Sequence, residues 1–233
     1  MLPPSSFAFQ PIVDLTNRSV FAYEALVRGV TGEGAATVLG AVAAADLHTF
    51  DRDARARALQ LAARLSLQTS LSLNFLPQSL NTLGDSISNT IDTAAGCGIR
   101  ADQLILEITE NEIIHDPARF AQQVNSFKSS GVRLAIDDFG AGYAGLNLLA
   151  EFQPDIVKID MTLVRDIDSK GPRQAIARAL IQVCNDLGLE VIVEGVETES
   201  EARWFKRHGI NLFQGFYFAR PAFERLEVPA SWG

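Results

Sequence analysis

Eight short apolar segments recur along the chain, and most of the intervals between them have the length and pattern of a helix. The segments cover residues 7–14, 20–28, 71–76, 103–109, 132–139, 155–160, 190–197 and 211–218. Most of them are apolar on both faces, as expected of parallel strands that are buried on both sides. Strands that alternate with helices form βαβ units, and eight such units favour a closed TIM (β/α)8 barrel.

The first connection departs from this pattern because it is too short to contain a helix. Only residues 15–19 separate the first two segments. A crossover between parallel strands needs about a dozen residues or more, whereas an antiparallel pair can be joined by a tight turn. We therefore expect an α/β fold that is a modified TIM (β/α)8 barrel with one antiparallel strand.

Helices are expected in the later intervals, roughly at residues 35–46, 51–66, 78–96, 113–129, 173–187 and 199–208. The last of these follows Thr198, and Glu201 three residues further on completes the pattern of a capping box. The segment after residue 222 is expected to form a short terminal cap. No interdomain linker is evident, so the pattern predicts a single domain.

Composition excludes several classes of partner. The formal net charge is −8 and no basic stripe is present, so a nucleic-acid polymer is not expected to bind. No apolar run reaches the roughly 18 residues of a membrane span, and the first residues do not resemble a secretory signal. Cys97 and Cys184 have no metal-binding spacing and are expected to be reduced thiols. We therefore expect a cytoplasmic protein without membrane insertion.

Polar side chains are found at or near the carboxyl end of seven of the eight apolar segments. They are Glu24 and Arg28, Asn74, Glu107 and Glu110, Asp137 and Asp138, Lys158 and Asp160, Glu194 and Glu197, and Gln214. In parallel barrels these strand ends meet at one face, where active sites lie. A single acid in such a place is usually solvated, but eight converging carboxylates would repel one another.

In proteins, a bound cation commonly offsets the repulsion between clustered carboxylates. Asp, Glu and Asn offer oxygen ligands, which suit hard ions such as Mg²⁺ and Mn²⁺. The three histidines, His48, His115 and His208, lie in or beside predicted helices, which argues against zinc. Where a strand enters a glycine turn, the adjacent Asp137 and Asp138 can both face one site. One of them can then bridge two metal ions, the arrangement that drives phosphodiester cleavage.

Two local motifs suggest other functions. Asp138-Phe139-Gly140 matches the metal-binding triplet of kinases, but the other kinase motifs are missing. Residues 140–145 match the dinucleotide pattern G-x-G-x-x-G, yet they follow two aspartates that would repel a pyrophosphate. We interpret residues 140–145 instead as a glycine loop beside the metal site that can change conformation when a ligand or partner binds.

Seven sequence blocks identify a family that the chain resembles from about Phe7 to Pro221. They are E-A-L-V-R at 24–28, L-N-F at 73–75, E-I-T-E at 107–110, D-D-F-G-A-G-Y at 137–143, K-I-D at 158–160, E-G-V-E at 194–197 and Q-G at 214–215. Together they resemble the EAL-domain cyclic-di-GMP (c-di-GMP) phosphodiesterases. The resemblance implies one EAL domain over residues 1–233, with a barrel core at about 7–221 and short terminal extensions.

The resemblance also implies a role for each of these residues. Glu24, Asn74, Glu107 and Asp137 would bind a first metal ion, and Asp137, Asp138 and Glu194 a second. Lys158 would contact the attacking water or the phosphate, and Glu194 would also transfer a proton. Glu110 and Glu197 would support catalysis. Glu110 would do so by anchoring the glycine loop. Arg28, Gln10, Gln214 and Asp160 would contact the substrate, with a structural role for Gln214 equally open.

The resemblance further implies hydrolysis of c-di-GMP to linear pGpG with two Mg²⁺ or Mn²⁺ ions, and inhibition by Ca²⁺. The alternative is a catalytically silent c-di-GMP receptor or protein-interaction module. A homodimer and a sensor domain or regulatory partner are expected from the family. Ala144-Gly145 stands where many members have two serines, and Gly29 where an aromatic residue is common. Neither difference removes a predicted metal ligand.

Overall fold

The strands close into a barrel. The computed structural model describes residues 2–76, 87–109, 128–142, 149–150, 153–229 and 232. Its strands are β1 (Ser5–Asp14), β2 (Ser19–Gly29), β3 (Ser70–Asn74), β4 (Leu104–Thr109), β5 (Arg133–Phe139), β6 (Ile156–Ile159), β7 (Glu190–Val193), β8 (Leu212–Phe213) and β9 (Ala222–Phe223). Strands β1 to β8 pair in chain order and β8 pairs back with β1, which confirms the predicted barrel.

The first two strands form the antiparallel pair that their short connection predicts. In the turn, Asp14 accepts hydrogen bonds from the backbone N–H groups of Thr16 and Asn17, and Arg18 has a left-handed φ of 50°. The pairs from β2 to β8 are parallel, whereas β1 is antiparallel to both of its barrel neighbours. One barrel strand therefore runs against the other seven, as predicted.

The described helices are α1 (Ala35–Gly40), α2 (Leu47–Arg64), α3 (Ile87–Gly96), α4 (Met161–Val164), α5 (Gly171–Asp186) and α6 (Glu199–Arg207). The single helix predicted at 35–46 is wrong, because an extended Ala43 separates α1 from a 3₁₀ turn at Ala44–Asp46. The capping box is confirmed at the start of α6. The helix predicted at 113–129, and the start of that at 78–96, lie outside the described residues.

Two strands are shorter than predicted because the chain turns across the barrel mouth, the end at which the parallel strands finish. β7 ends at Val193 instead of residue 197, and Gly195 has a φ of 62°. β8 ends at Phe213 instead of residue 218, and a Cβ on Gly215 would lie 2.1 Å from the carbonyl oxygen of Val196. The predicted cap after residue 222 contains β9, which pairs with β1.

The barrel interior is divided into a lower apolar layer and an upper polar layer. The apolar layer comprises the buried residues Ile12, Ala22, Ile105, Ala135, Ile156, Ile192 and Leu212. Alternate side chains of a strand share one face, so the residue two positions nearer the mouth also points inward. In these seven strands that residue is Gln10, Glu24, Glu107, Asp137, Lys158, Glu194 or Gln214. Strand alternation therefore brings predicted site residues together.

A larger apolar core fills the space between the strands and the surrounding helices. Phe9, Leu71, Leu104 and Phe213 are among its fully buried members from the strands, and Phe205 of α6 packs into it from outside. Among the described helices none combines the length and the apolar character that a membrane crossing requires.

Candidate active site

An ion cluster centred on Lys158 occupies the polar layer. The Nζ atom of Lys158 lies 2.7 Å from Oε1 of Glu107 and 2.7 Å from Oε1 of Glu194. Oδ1 of Asp137 is 2.9 Å away and Oε2 of Glu24 is 3.5 Å away. Burial alone would lower the pKa of Lys158, but the four carboxylates outweigh it and raise that pKa well above its ordinary value. Lys158 is therefore a charged ammonium in the middle of the site.

One ammonium cannot neutralise four carboxylates. Burial raises the pKa of Glu107 to about 8 despite the opposing charge of Lys158. Burial, followed by the charge of Asp137, also raises the pKa of Glu194 well above its usual range. For Asp137 itself, burial acts upward, but the charge and hydrogen bond of Lys158 prevail and lower the pKa. Oε2 of Glu107 is buried and has no hydrogen-bond partner among the described residues. A bound cation would supply the missing charge and the missing partner.

Two groups of carboxylates are spaced to hold metal ions. The first group is Glu24, Glu107 and Asp137, and the second is Asp137, Asp138 and Glu194. Within each group, one oxygen from every member lies within 4.8 Å of the others. Asp137 belongs to both groups, so it could contribute a ligand to each candidate site. All the donor atoms are hard carboxylate oxygens, so the described residues fit divalent ions of the Mg²⁺ and Mn²⁺ type.

Asn74 lies beside the first group. It is the last residue of β3, and it is paired with Glu107 across the β3–β4 register. Asn74 and Glu107 also line a second cavity of about 430 Å³, whose described lining consists mainly of apolar residues from β2, β3, α1 and α2. The position of Asn74 at the mouth agrees with the predicted role as an additional ligand, which stays a prediction.

A β-bulge explains how two adjacent aspartates can serve one site. The β5–β6 register shifts between Ile136 and Phe139, and Asp138 has a left-handed backbone with a φ of 54°. Neighbouring side chains of a regular strand point to opposite faces, whereas a bulge re-aims one of them. Burial, and then the charge of Asp137, raises the pKa of Asp138 to about 6. This uncommon backbone conformation of a non-glycine residue thus lies within the acidic site itself.

Gln214 and Gln10 hold Glu24 in position. Nε2 of Gln214 donates to Oε2 of Glu24 at 2.6 Å and to Oε1 of Gln10 at 3.3 Å. Gln10 is paired with Glu24 across the β1–β2 register, and its own Nε2 donates to the carbonyl of Ala219 at 3.0 Å. The three side chains are buried. These hydrogen bonds fix the orientation of the Glu24 carboxylate. The predicted contact of both glutamines with a substrate stays a prediction.

Glu197 and Asp160 lie at the rim of the site. Glu197 forms a two-point ion pair with Arg165, with nitrogen–oxygen distances of 2.6 Å and 2.8 Å. Asp160 is buried and caps α4 by accepting the backbone N–H of Thr162 at 2.8 Å. Both acids line the cavity above the cluster, but neither belongs to the two carboxylate groups.

The structure describes Arg28 and the start of the glycine loop, but Glu110 and the rest of that loop lie outside the described residues. Arg28 is half-buried, and its Nη1 donates to the carbonyl of Val27 at 2.8 Å. Glu110 lies outside the described residues, so its predicted anchoring of the glycine loop stays a prediction. That loop is described only as far as residue 142. At its start, Gly140 has a φ of 94°, and a Cβ there would lie 2.5 Å from Cδ1 of Leu163.

A cavity of about 370 Å³ opens above the cluster. Its described lining includes the acids of both groups except Glu107, and also Met161 and Phe216. Met161 and Phe216 are 45% and 47% exposed, so both present apolar surface to this cavity. The guanidinium of Arg220 lies 4.2 Å from the centre of the Phe216 ring. With cations held by the acidic floor, the cavity would suit a phosphate, and the exposed ring and guanidinium at the rim suit a ligand with flat rings.

Sequence reasoning missed Ser72 and Arg165. Ser72 is fully buried, is paired with Glu24 across the β2–β3 register, and donates its hydroxyl to Oε1 of Glu107 at 2.7 Å. The alternation that turns Glu24 and Glu107 inward could have predicted an inward side chain at position 72. No local signal could have found Arg165, because its pairing with Glu197 joins two different loops.

The fold and the site together define a (β/α)8-type barrel with one reversed strand and an acidic, cation-fitting mouth. The model of the EAL domain family matches residues 5–221. The chain therefore belongs to the EAL domain family, and the resemblance drawn from its motifs is confirmed. The kinase-like triplet and the dinucleotide-like glycine pattern are thus parts of an EAL barrel.

Solved EAL structures share the whole fold. A standalone EAL protein from Vibrio cholerae O395, in its c-di-GMP-bound form, is 40% identical with a TM-score of 0.92, over 98% of this chain and 97% of that chain. BlrP1 of Klebsiella pneumoniae, in a complex with manganese and c-di-GMP, is 43% identical with a TM-score of 0.90, over 95% of this chain and 57% of that chain. A calcium and c-di-GMP complex of BlrP1 has a TM-score of 0.91.

Curated relatives carry different functional names. The blue light- and temperature-regulated antirepressor BluF of Escherichia coli K12 is 38% identical over 92% of this chain and 53% of its own length. The cyclic di-GMP phosphodiesterase NbdA of Pseudomonas aeruginosa is 30% identical over 91% of this chain and 28% of its own length. The chain thus spans about half of the first relative and about a quarter of the second.

Proposed function

We propose that this protein is a metal-dependent phosphodiesterase that hydrolyses c-di-GMP to linear pGpG. The observation that carries the proposal is the membership of Asp137 in two carboxylate groups beside a buried, charged Lys158. A pair of divalent ions roughly 4 Å apart is the arrangement that clamps the attacking and leaving oxygens of a phosphodiester. The name of NbdA and the c-di-GMP in two similar structures support the choice of substrate.

The residues present fit two ions. Glu24, Asn74, Glu107 and Asp137 would hold one, and Asp137, Asp138 and Glu194 would hold the other. When bound, such ions polarise the phosphodiester and lower the pKa of the attacking water. We propose Mg²⁺ or Mn²⁺ because the candidate ligands are hard oxygen atoms and a similar structure contains manganese with c-di-GMP.

The chain's own residues would act on the reacting groups. The water oxygen attacks phosphorus in line as the bond from phosphorus to the 3′ oxygen breaks, so that the configuration at phosphorus inverts. The water loses a proton, for which Glu194 is the proposed acceptor, and the departing 3′ oxygen takes up a proton from solvent. Lys158 is charged at the centre of the cluster and would stabilise the negative charge that develops on the phosphoryl oxygens.

Other residues would bind and orient the substrate. Arg28 has the planar guanidinium that suits a phosphate. Phe216, with its exposed ring beside the acidic floor, offers a face on which a guanine base can stack. Gln10 and Gln214 would keep Glu24 oriented and would meet the ligand through their remaining polar atoms. Asp160 and Glu197 would shape the rim, and Glu110 would anchor the glycine loop.

The test is direct turnover. Purified protein is incubated with c-di-GMP and either Mg²⁺ or Mn²⁺, and pGpG is separated by chromatography. The variant Glu24→Ala should give no product, because it removes a ligand from the first group. Glu190→Gln is the matched control, since Glu190 is an exposed acid at the opposite end of the barrel. Absence of pGpG from the wild type with both ions would overturn the proposal.

A second candidate function is a silent c-di-GMP receptor or protein-interaction module. The observation that favours it is the similarity to BluF, whose name describes an antirepressor. The complete set of acids around Lys158 favours the enzyme, since a receptor does not need two candidate metal sites. Binding of c-di-GMP by calorimetry without formation of pGpG would select the receptor.

A further inference from the structure

Glu201 is a buried carboxylate that lies outside both metal groups. It is the third residue of α6, and its side chain is 2% exposed. One carboxylate oxygen accepts the backbone N–H groups of Glu197 at 2.9 Å and of Thr198 at 3.0 Å. The other oxygen accepts the backbone N–H of Asp166 at 3.1 Å. The capping box of α6 uses only the bond to Thr198, so two of the three bonds have another effect.

Those two bonds join separate loops of the barrel mouth. Glu197 belongs to the loop after β7, three residues beyond Glu194. Asp166 belongs to the loop after β6, the strand that carries Lys158; this loop covers residues 160–170 and includes the short helix α4. Asp166 lies just after α4 and has a left-handed φ of 56°. Since each loop bonds to a different oxygen of one carboxylate, Glu201 fixes the two loops relative to each other.

Two further contacts show how closely these loops approach. Arg165, the neighbour of Asp166, forms the two-point ion pair with Glu197. Gly195 has a φ of 62°, and a Cβ on it would lie 2.3 Å from Cβ of Met161. The residue that precedes Gly195 is Glu194, which lies 2.7 Å from Nζ of Lys158. A shift between the loops would therefore alter the second carboxylate group directly.

We propose that Glu201 is a positioning residue, whose buried carboxylate fastens the loop after β7 to the loop after β6 and thereby holds Glu194 against Lys158. The inference rests on the proposed function where turnover is measured, but metal binding tests it separately. Glutamine cannot replace Glu201 fully, because its amide nitrogen cannot accept an N–H bond. One of the two loops would lose its partner, and a part-buried backbone N–H would be left without its carboxylate acceptor.

The experiment compares Glu201→Gln with Thr198→Ala as a matched control. Thr198 Oγ1 caps α6 through the N–H of Glu201 at 3.3 Å, so its loss weakens the helix start without touching the bonds to Asp166 and Glu197. For each variant of the 233-residue chain, Mn²⁺ binding is measured by titration calorimetry and the unfolding temperature by scanning calorimetry. Values of kcat and KM are measured with c-di-GMP as the substrate. Glu201→Gln should weaken Mn²⁺ binding roughly tenfold and lower kcat by roughly 10- to 100-fold with KM nearly unchanged. Thr198→Ala should lower only the unfolding temperature.

Equal Mn²⁺ affinity and equal kcat in the two variants, per folded molecule, would overturn the inference and reduce Glu201 to a helix cap. If the wild type forms no pGpG while Glu201→Gln still binds Mn²⁺ more weakly, the proposed function fails and the positioning role stands. If Glu201→Gln does not fold, Glu201→Asp takes its place in the same comparison. Its carboxylate keeps the charge but is one methylene too short to reach both loops.

Discussion

Glu107 and Lys158 form a 2.7 Å ion pair in which both side chains are almost wholly withdrawn from solvent. Burial nevertheless outweighs the attraction, since it raises the pKa of Glu107 to about 8. The four carboxylates around Lys158 together carry more negative charge than one ammonium can balance, so additional positive charge would stabilise the ionised form of Glu107. The following predictions test this property and the packing around it.

Replacement of Lys158 by methionine leaves four carboxylates facing one another without a cation. We expect a loss of about 3 kcal/mol or more in the free energy of unfolding of the metal-free protein. We also expect a loss of roughly 10²- to 10³-fold in kcat. Urea denaturation in EDTA measures the first effect. Arg133→Met is the control, because Arg133 pairs with Glu190 at a partly exposed site and should cost at most about 1 kcal/mol.

Replacement of Asp137 by asparagine should abolish both metal sites, whereas Asp138→Asn should abolish only one. The reason is that Asp137 belongs to both carboxylate groups and Asp138 to the second alone. Titration of the wild type with Mn²⁺ should show two ions per chain, and saturation at about 100 times Kd should add about 2.7 kcal/mol of stability per site. Retention of two tight sites in Asp137→Asn would contradict the shared ligand.

Calcium should support binding of c-di-GMP but not its hydrolysis. Ca²⁺ takes longer bonds to oxygen, about 2.3–2.6 Å, and accepts irregular geometry, so it would not hold the water and phosphate in line. The measurement compares pGpG formation in Mn²⁺, in Ca²⁺, and in Mn²⁺ with increasing Ca²⁺. Undiminished turnover with Ca²⁺ alone would show that the site does not discriminate by ion size.

Replacement of Ser72 by alanine should weaken metal binding by the first carboxylate group, because Glu107 would lose a hydrogen bond that helps to orient it. Its hydroxyl donates to Oε1 of Glu107 at 2.7 Å in a fully buried position. We expect a loss of about 1 kcal/mol in stability and a roughly tenfold loss in Mn²⁺ affinity. Ser70→Ala is the control two positions lower on β3, where the hydroxyl accepts from Arg133 at 2.9 Å. A similar loss of Mn²⁺ affinity in both variants would show that the effect is not specific to Glu107.

Cys184 should resist thiol reagents in the folded protein. Burial raises its pKa to about 11, so at pH 8 only about one molecule in a thousand carries the reactive thiolate. Cys97, which is only partly buried, should react first. Labelling with a maleimide, followed by mass spectrometry of peptides, separates the two. Equal rates before denaturation would contradict the burial of Cys184.

Much of the site could be predicted from the sequence because strand alternation is a local rule. The short connection at 15–19 predicted the reversed strand, and polar side chains near the ends of seven of the eight segments predicted which residues would meet. Lys158 and its four carboxylates converge as expected, since each lies on the inward face of its own strand.

The remaining features depend on contacts between distant parts of the chain. The bulge that turns Asp138 toward Asp137 arises from a register shift against β6, which no local motif specifies. The early end of β8 follows from the approach of Gly215 to Val196. Glu201 was recognised as a helix cap from its spacing to Thr198, but its bond to Asp166, 35 residues away, has no sequence signature.

The two layers of the barrel interior have different roles: the apolar layer stabilises the fold, and the polar layer forms the candidate site. Every site residue of the upper layer sits two positions above an apolar partner of the lower layer, and the apolar residues carry the burial that favours folding. Loss of one acid from the upper layer would relieve repulsion and leave the lower layer intact. A single substitution of one such acid could therefore convert the proposed hydrolase into a silent receptor and, at the same time, make the metal-free fold more stable.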